Sequence, residues 1–197
     1  MKMEFKEFPK MARLSRECVI SEKIDGTNGQ IFIAEDGLML VGSRTRWITP
    51  SDDNHGFAKW CHEHYQELLT LGPGRHFGEW WGQGIQRKYG LTEKRFSLFN
   101  TLRWVEHDKE PAQIPTADPR IVKMQGVLPE CCSLVPILYQ GEFSTDATDA
   151  ALYLLRTYGS KAAPGFMKPE GIVVYHIAGN VGFKKTIEGD SEYKGKK

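Results

Sequence analysis

The stretch Ser21-Glu22-Lys23-Ile24-Asp25-Gly26-Thr27-Asn28-Gly29 decides how the chain is read. Glu17 to Lys23 reads as a short strand, so a lysine stands at a strand end and runs straight into a tight Asp-Gly turn. Taken alone, the pattern also fits a solvated lysine beside a β-turn. Its chemical reading is a nucleophile: a neutral amine attacks the α-phosphate of a nucleotide and keeps the nucleotide as a phosphoramidate. A lysine ordinarily titrates near 10.4, and bringing one to about 7 takes roughly 4.6 kcal/mol from burial and neighbouring cations. Such a site also needs cationic cover and a divalent metal for the phosphate, an aromatic platform for the base, and a carboxylate for the ribose hydroxyls.

Working outward, each part occurs in order on an expected strand or strand end. Gly29 to Ala34 and Leu38 to Ser43 flank Glu35-Asp36-Gly37, a strong hairpin signal, and the hairpin ends in Ser43-Arg44. Phe77-Gly78-Glu79-Trp80-Trp81-Gly82 sets an acid among aromatics and glycines, an expensive placement unless the acid binds something. Arg95-Phe96-Ser97-Leu98-Phe99-Asn100 offers an aromatic platform. Glu170 stands immediately before the apolar run Gly171 to Ile177, and Val181 to Ile187 closes a second hairpin carrying Lys184 and Lys185.

Together these segments resemble the covalent nucleotidyltransferase superfamily of ATP-dependent ligases and capping enzymes, and within it the nick-sealing RNA ligases of the phage type. The resemblance runs from about Glu17 to Thr186. It implies Lys23 as the AMP-accepting nucleophile, with Glu22 and Ile24 meeting adenine largely through backbone groups. Arg44 is implied at the ribose or phosphate, Glu79 at the ribose hydroxyls and Phe99 stacked on adenine. Glu170 is implied as the holder of Mg²⁺ or Mn²⁺ or its water, and Lys184 with Lys185 at the α-phosphate. Thr27-Asn28 after the glycine favours RNA ligases over DNA ligases and marks a nucleic-acid contact. The implied fold is an ATP-grasp-like adenylation domain. The implied reaction joins 5′-phosphate and 3′-hydroxyl ends through a lysyl-AMP, with ATP as the nucleotide and RNA ends or a nicked duplex as partner.

Three departures stand out. Asn100 occupies a position where the family usually has an acid. Lys184 and Lys185 are adjacent rather than one residue apart, and adjacent strand residues face opposite ways, so Lys184 is expected at the nucleotide and Lys185 beside Phe183. The chain ends about a dozen residues past the last motif, which leads us to expect one domain over 1–197 with no appended OB-fold or helical domain. Substrate grip is then expected from Arg87, Lys88 and Tyr89 in a Gly-rich basic loop. A DNA ligase or DNA/RNA-tolerant sealer stays open as an alternative. So does a non-catalytic nucleic-acid-binding module with a decayed site.

Composition bounds the rest. The 197 residues are 40% apolar and 26% charged, as in a globular domain, with a net charge of +1 that excludes a wholly basic binder. The charge is uneven: six Lys/Arg against two acids from Arg75 to Arg103, and four acids against one Arg from Glu130 to Ser160. No apolar run is long enough to span a membrane, and the start lacks the apolar core of a secretory signal, so a cytoplasmic address is expected; the oligomeric state stays open, with a monomer favoured. The cysteines Cys18, Cys61, Cys131 and Cys132 are expected to be reduced. Cys61-His62-Glu63-His64 invites a zinc reading, but His62 falls on another side of the helix from Cys61 and no second ligand pair has zinc spacing. Cys131-Cys132 has no nearby histidine in sequence and reads as buried. The expected fold is α+β: two mostly antiparallel sheets with flanking helices. The helices run from Phe57 to Leu69 and from Ser144 to Tyr158, the second buried through Ala147, Ala151, Leu154, Leu155 and Tyr158. Thr45 to His55 and Glu106 to Pro119 are expected as loops, and the tail from Gly189 as polar and frayed.

Overall fold

The lysine strand is the first element of a computed structural model that describes residues 7–8, 15–104 and 127–188. β1 (Glu17–Lys23) sits inside a four-stranded antiparallel sheet. Its neighbours are β8 (Ile137–Glu142) and β9 (Gly171–His176), with β10 (Val181–Thr186) outside β9. The chain leaves Lys23, crosses Ile24-Asp25-Gly26, and enters the second sheet at β2 (Thr27–Ile33). That sheet has the order β4-β3-β2-β5-β6-β7. Its strands besides β2 are β3 (Met39–Gly42), β4 (Trp47–Ile48), β5 (Gly74–Gly82), β6 (Lys94–Leu98) and β7 (Cys132–Leu134). The α+β expectation of two sheets with flanking helices holds. The short Lys23–Thr27 link makes the motif the joint between the sheets.

Each sheet carries helices on one face. The face of the larger sheet bearing Ile31, Ile33, Trp80, Phe96 and Leu98 packs on α1 (Phe57–Glu63) and α2 (Tyr65–Leu68). Phe57 is fully buried there, its ring centroid 4.8 Å from Phe96 and 5.4 Å from Trp80. Gly29 makes room for it and Gly78 for its neighbour Phe96: a Cβ at Gly29 would lie 2.6 Å from Phe57 Cζ, and one at Gly78 2.7 Å from Phe96 Cζ. The smaller sheet presents Cys18, Ile20, Ile172 and Val174 to α3 (Thr145–Tyr158). Ser144 caps α3 by accepting the Ala147 N–H, and Gly159 ends it at φ 79°.

Several local expectations are corrected. Trp47–Ile48 forms an edge strand inside the expected 45–55 loop, paired to Val41 and Gly42. The expected single helix breaks at His64, and Leu69–Leu71 tightens into a 3-10 turn. The strand expected through Arg95 to Asn100 stops at Leu98, followed by a 3-10 turn over Thr101–Trp104. α3 buries Thr148, Ala151, Leu152 and Leu155, while Leu154 and Tyr158 are exposed. The buried set runs i, i+3, i+4, i+7, a stripe of similar width turned about 60° around the helix from the expected one. β7 was not expected, and its pairing with β6 is parallel. The segments expected at Glu106 to Pro119 and beyond Gly189 lie outside the described residues. Among the described residues no helix is long and apolar enough to cross a membrane.

Candidate active site

Strand alternation sorts the site residues by face. In the smaller sheet Ser21 pairs with Val173, which pairs with Lys184. Lys23 lies two residues beyond Ser21, so Lys23 and Lys184 share the face that α3 does not cover. Glu22 pairs with Ile172 and Ile172 with Lys185, which places both on the α3 face. Lys185 Nζ there lies 2.9 Å from Asp149 Oδ1 of α3. The resemblance, which named Lys185 with Lys184 at the phosphate, is corrected there: the Lys185 ammonium is paired on the far side of the sheet, on the face that strand alternation led us to expect.

Glu22 is equally committed to the interior. Its carboxylate, 1% exposed, accepts hydrogen bonds from Ser160 Oγ at 2.6 Å, Lys161 N at 2.8 Å and Ala162 N at 2.9 Å. Its backbone N–H donates to the Pro136 carbonyl. Burial raises its pKa, and those three donors oppose the rise. Glu22 thus ties β1 to the turn after α3 and fixes the strand that carries Lys23. Nothing in the sequence pattern marked Ser160 to Ala162, because the donors are mostly backbone.

The turn after Lys23 is held at four points. Ile24 is buried against Trp81, Tyr89, Val135 and Ala163. The Asp25 N–H donates to Tyr89 Oη at 2.8 Å, and Arg87 Nε donates to Asp25 Oδ2 at 3.0 Å. The Gly26 N–H donates to Glu79 Oε1 at 3.0 Å. A Cβ at Gly26 would meet the Trp80 carbonyl, so the approach requires glycine. These contacts correct the expected nucleic-acid contact of Tyr89 and engage Arg87 within the fold. Tyr89 is 2% exposed and has no face free for a base, and Arg87 is spent on Asp25 and on the Lys168 carbonyl. Lys88, between them, is exposed. Trp80 and Trp81 are both 1% exposed, so neither offers an open ring face to a nucleotide.

Glu79 stands on the face of the larger sheet opposite α1 and α2, across from Asn28 on β2 and Ser97 on β6. Besides the Gly26 N–H, its carboxylate accepts Asn28 Nδ2 at 3.3 Å. Burial pushes its pKa up to about 7; Lys23 and the Gly26 N–H pull it down, and Glu170 and Asp25 push it further up. Phe77 and Phe99 lie on this same face, joined by the Phe99 N–H donating to the Phe77 carbonyl at 2.9 Å, and both rings are about half exposed. Phe77 is a second aromatic platform that the motif reading passed over, although its alternation with Glu79 was a usable signal. Arg44 is exposed just past the end of β3, at the end of the sheet nearest Asn28. Thr27 Oγ1 accepts Asn54 Nδ2 at 3.0 Å.

Lys23 Nζ lies 2.5 Å from Glu170 Oε2, and both side chains are partly exposed. The two sheets thus bring Lys23, Glu170 and Lys184 from one side against Glu79, Asn28 and the Phe77–Phe99 pair from the other. Glu170 contacts this amine, Glu79 lies within electrostatic reach of it, and carboxylate oxygens are the donors a hard divalent cation takes. A separate cleft of about 470 Å³, lined by Trp81, Arg95, Ser133 and Lys161 among others, includes none of these motif residues.

Solved structures share this architecture. A mutant of the Naegleria gruberi RNA ligase in apo form matches with a TM-score of 0.54 at 20% identity, over 87% of this chain and 49% of that one. Mutants of Naegleria gruberi RNA ligase solved with AMP and Mn and with ATP and Mn match at TM-scores of 0.55 and 0.56, each at 18% identity. These matches cover 87% and 88% of this chain and 49% and 50% of the other. The chain therefore spans about half the length of the ligases it matches. No curated protein matches it. The family model for RNA ligase matches residues 16–187, from the strand that carries the lysine to the hairpin that carries Lys184, and the chain belongs to the RNA ligase family.

Proposed function

We propose that the chain is the adenylating part of an ATP-dependent RNA ligase that joins 5′-phosphate and 3′-hydroxyl ends. The observation that carries this reading is the placement of Lys23 Nζ against Glu170, with Glu79 and Lys184 facing the same cleft. In the first step the Lys23 amine attacks the α-phosphorus of ATP, a P–N bond forms, and pyrophosphate leaves with the electron pair of the broken P–O bond. Glu170 Oε2 is within reach to take the ammonium proton. Lys184 offsets charge on the α-phosphate, and Arg44 meets the ribose or phosphate. Glu79 accepts from the ribose hydroxyls, and Phe99 with Phe77 flanks adenine. AMP then passes to a 5′-phosphate, and a 3′-hydroxyl displaces it. Glu170 would hold Mg²⁺ or Mn²⁺, which would supply charge neutralisation on the phosphates.

Nick sealing tests the substrate. Matched nicks carrying RNA or DNA on the 3′-hydroxyl side are incubated with protein, ATP and Mg²⁺ or Mn²⁺. RNA on that side is expected to seal faster by at least tenfold, about 1.4 kcal/mol of discrimination. Equal sealing of both would replace this reading with a DNA/RNA-tolerant sealer.

A further inference from the structure

We propose that His64, Glu67 and Cys131 form a structural zinc site, remote from the nucleotide cleft and independent of the ligase reading. His64 lies at the break between α1 and α2, and Glu67 follows one turn later. Cys131 stands just before β7, the edge strand of the larger sheet. Chain folding brings to the helix pair the thiol that lacked a histidine partner in sequence. The imidazole Nδ1, one Glu67 carboxylate oxygen and the Cys131 sulfur all lie within 4.8 Å of one another.

Three different ligand types already converge here. His64 Nδ1 donates to Glu67 Oε1 at 2.9 Å, and the Cys131 sulfur lies within 4.8 Å of both atoms. A single cation among the three can replace the His64–Glu67 hydrogen bond and draw in the sulfur. Zinc–ligand bonds of about 2.0 to 2.3 Å put tetrahedral ligand atoms about 3.5 Å apart, so side-chain shifts of roughly 1 Å close the site. Coordination through Nδ1 moves the imidazole proton to Nε2 and releases the thiol proton of Cys131.

Thiolate, imidazole and carboxylate together select zinc over Mg²⁺ or Ca²⁺, which prefer oxygen alone. The fourth position is left to water on the exposed side of Glu67. Anchorage is already built: the His64 ring lies 5.0 Å from Trp60, which packs on Trp80 in the core. The ion would tie α2 to a three-residue parallel edge strand, an element with little pairing energy of its own. Glu79 is on the other face of this sheet, so the nucleotide chemistry does not enter the argument.

The test uses the full chain, stripped with a chelator, kept reduced and titrated with Co²⁺ and then Zn²⁺. We expect one ion per chain and a near-ultraviolet thiolate-to-cobalt charge-transfer band that Zn²⁺ abolishes. Zn²⁺ should also raise the thermal midpoint where equal Mg²⁺ does not. His64→Ala and Cys131→Ser should weaken binding more than about 100-fold, beyond what outer partners of a ligand contribute, while His62→Ala should bind as the wild type. A wild-type Co²⁺ spectrum without the thiolate band would overturn the proposal. So would binding that survives His64→Ala and Cys131→Ser undiminished.

Discussion

Glu79 shows at the scale of one residue how the candidate site is tuned. Its folded pKa is raised to about 7 from an ordinary 4.5. Between those values the folded chain keeps a proton that the unfolded chain releases, so stability falls as pH rises through this window and levels off above it. Glu79→Gln removes the ionisation. Its stability relative to wild type should therefore climb by up to about 3 kcal/mol between pH 4.5 and 7 in nucleotide-free protein, read by denaturant unfolding. A parallel pH profile for both proteins would contradict the assignment. Glu170→Gln keeps the shape but removes the proton acceptor beside Lys23. Covalent nucleotide transfer should drop by about 10² to 10⁴, with the unfolding midpoint nearly unchanged, as rapid-quench kinetics would show. The motif residues were the most legible feature of the sequence because each sets an unusual residue type on a strand or at its end. Asn28 on Glu79 and the Asp25–Arg87 pair were not legible, because the first needs β2 paired to β5 in this register and the second needs the loop after β5 folded back on the turn.

At the scale of elements, legibility followed length. The long strands and α3 carry enough periodicity to be read, whereas β4 and β7 are two and three residues long and depend on their neighbours. Tyr89 illustrates the other limit. In sequence it belongs to a basic, Gly-rich loop; in the fold it fills the gap between Trp81 and Phe166, with ring centroids 4.9 and 4.6 Å away. Charge composition could not reveal that, since an aromatic in a polar loop reads the same whether it points out or in. The α1 element has a sharper dependence. Phe57 is fully buried against Trp80 and Phe96, so Phe57→Ala should cost about 3 to 5 kcal/mol in chemical denaturation. A loss below 1 kcal/mol would mean that the helix layer is not packed on the larger sheet as described.

The whole molecule is two sheets hinged at Ile24-Asp25-Gly26, each with one face covered by helices and the other turned to the cleft. The two-sheet organisation was readable because hairpin signals and motif order agreed. The half-length match to larger ligases makes the reaction of this chain the point to measure. The decisive measurement is covalent transfer. Pure protein, shown by mass spectrometry to carry no AMP, is incubated with ATP labelled at the α-phosphate plus Mg²⁺ or Mn²⁺, then denatured. We predict label that survives denaturation, is absent with γ-labelled ATP, and is lost in Lys23→Ala. Wild-type protein that folds, binds ATP and takes up no label would contradict the lysyl-AMP mechanism and leave a nucleic-acid-binding module in its place.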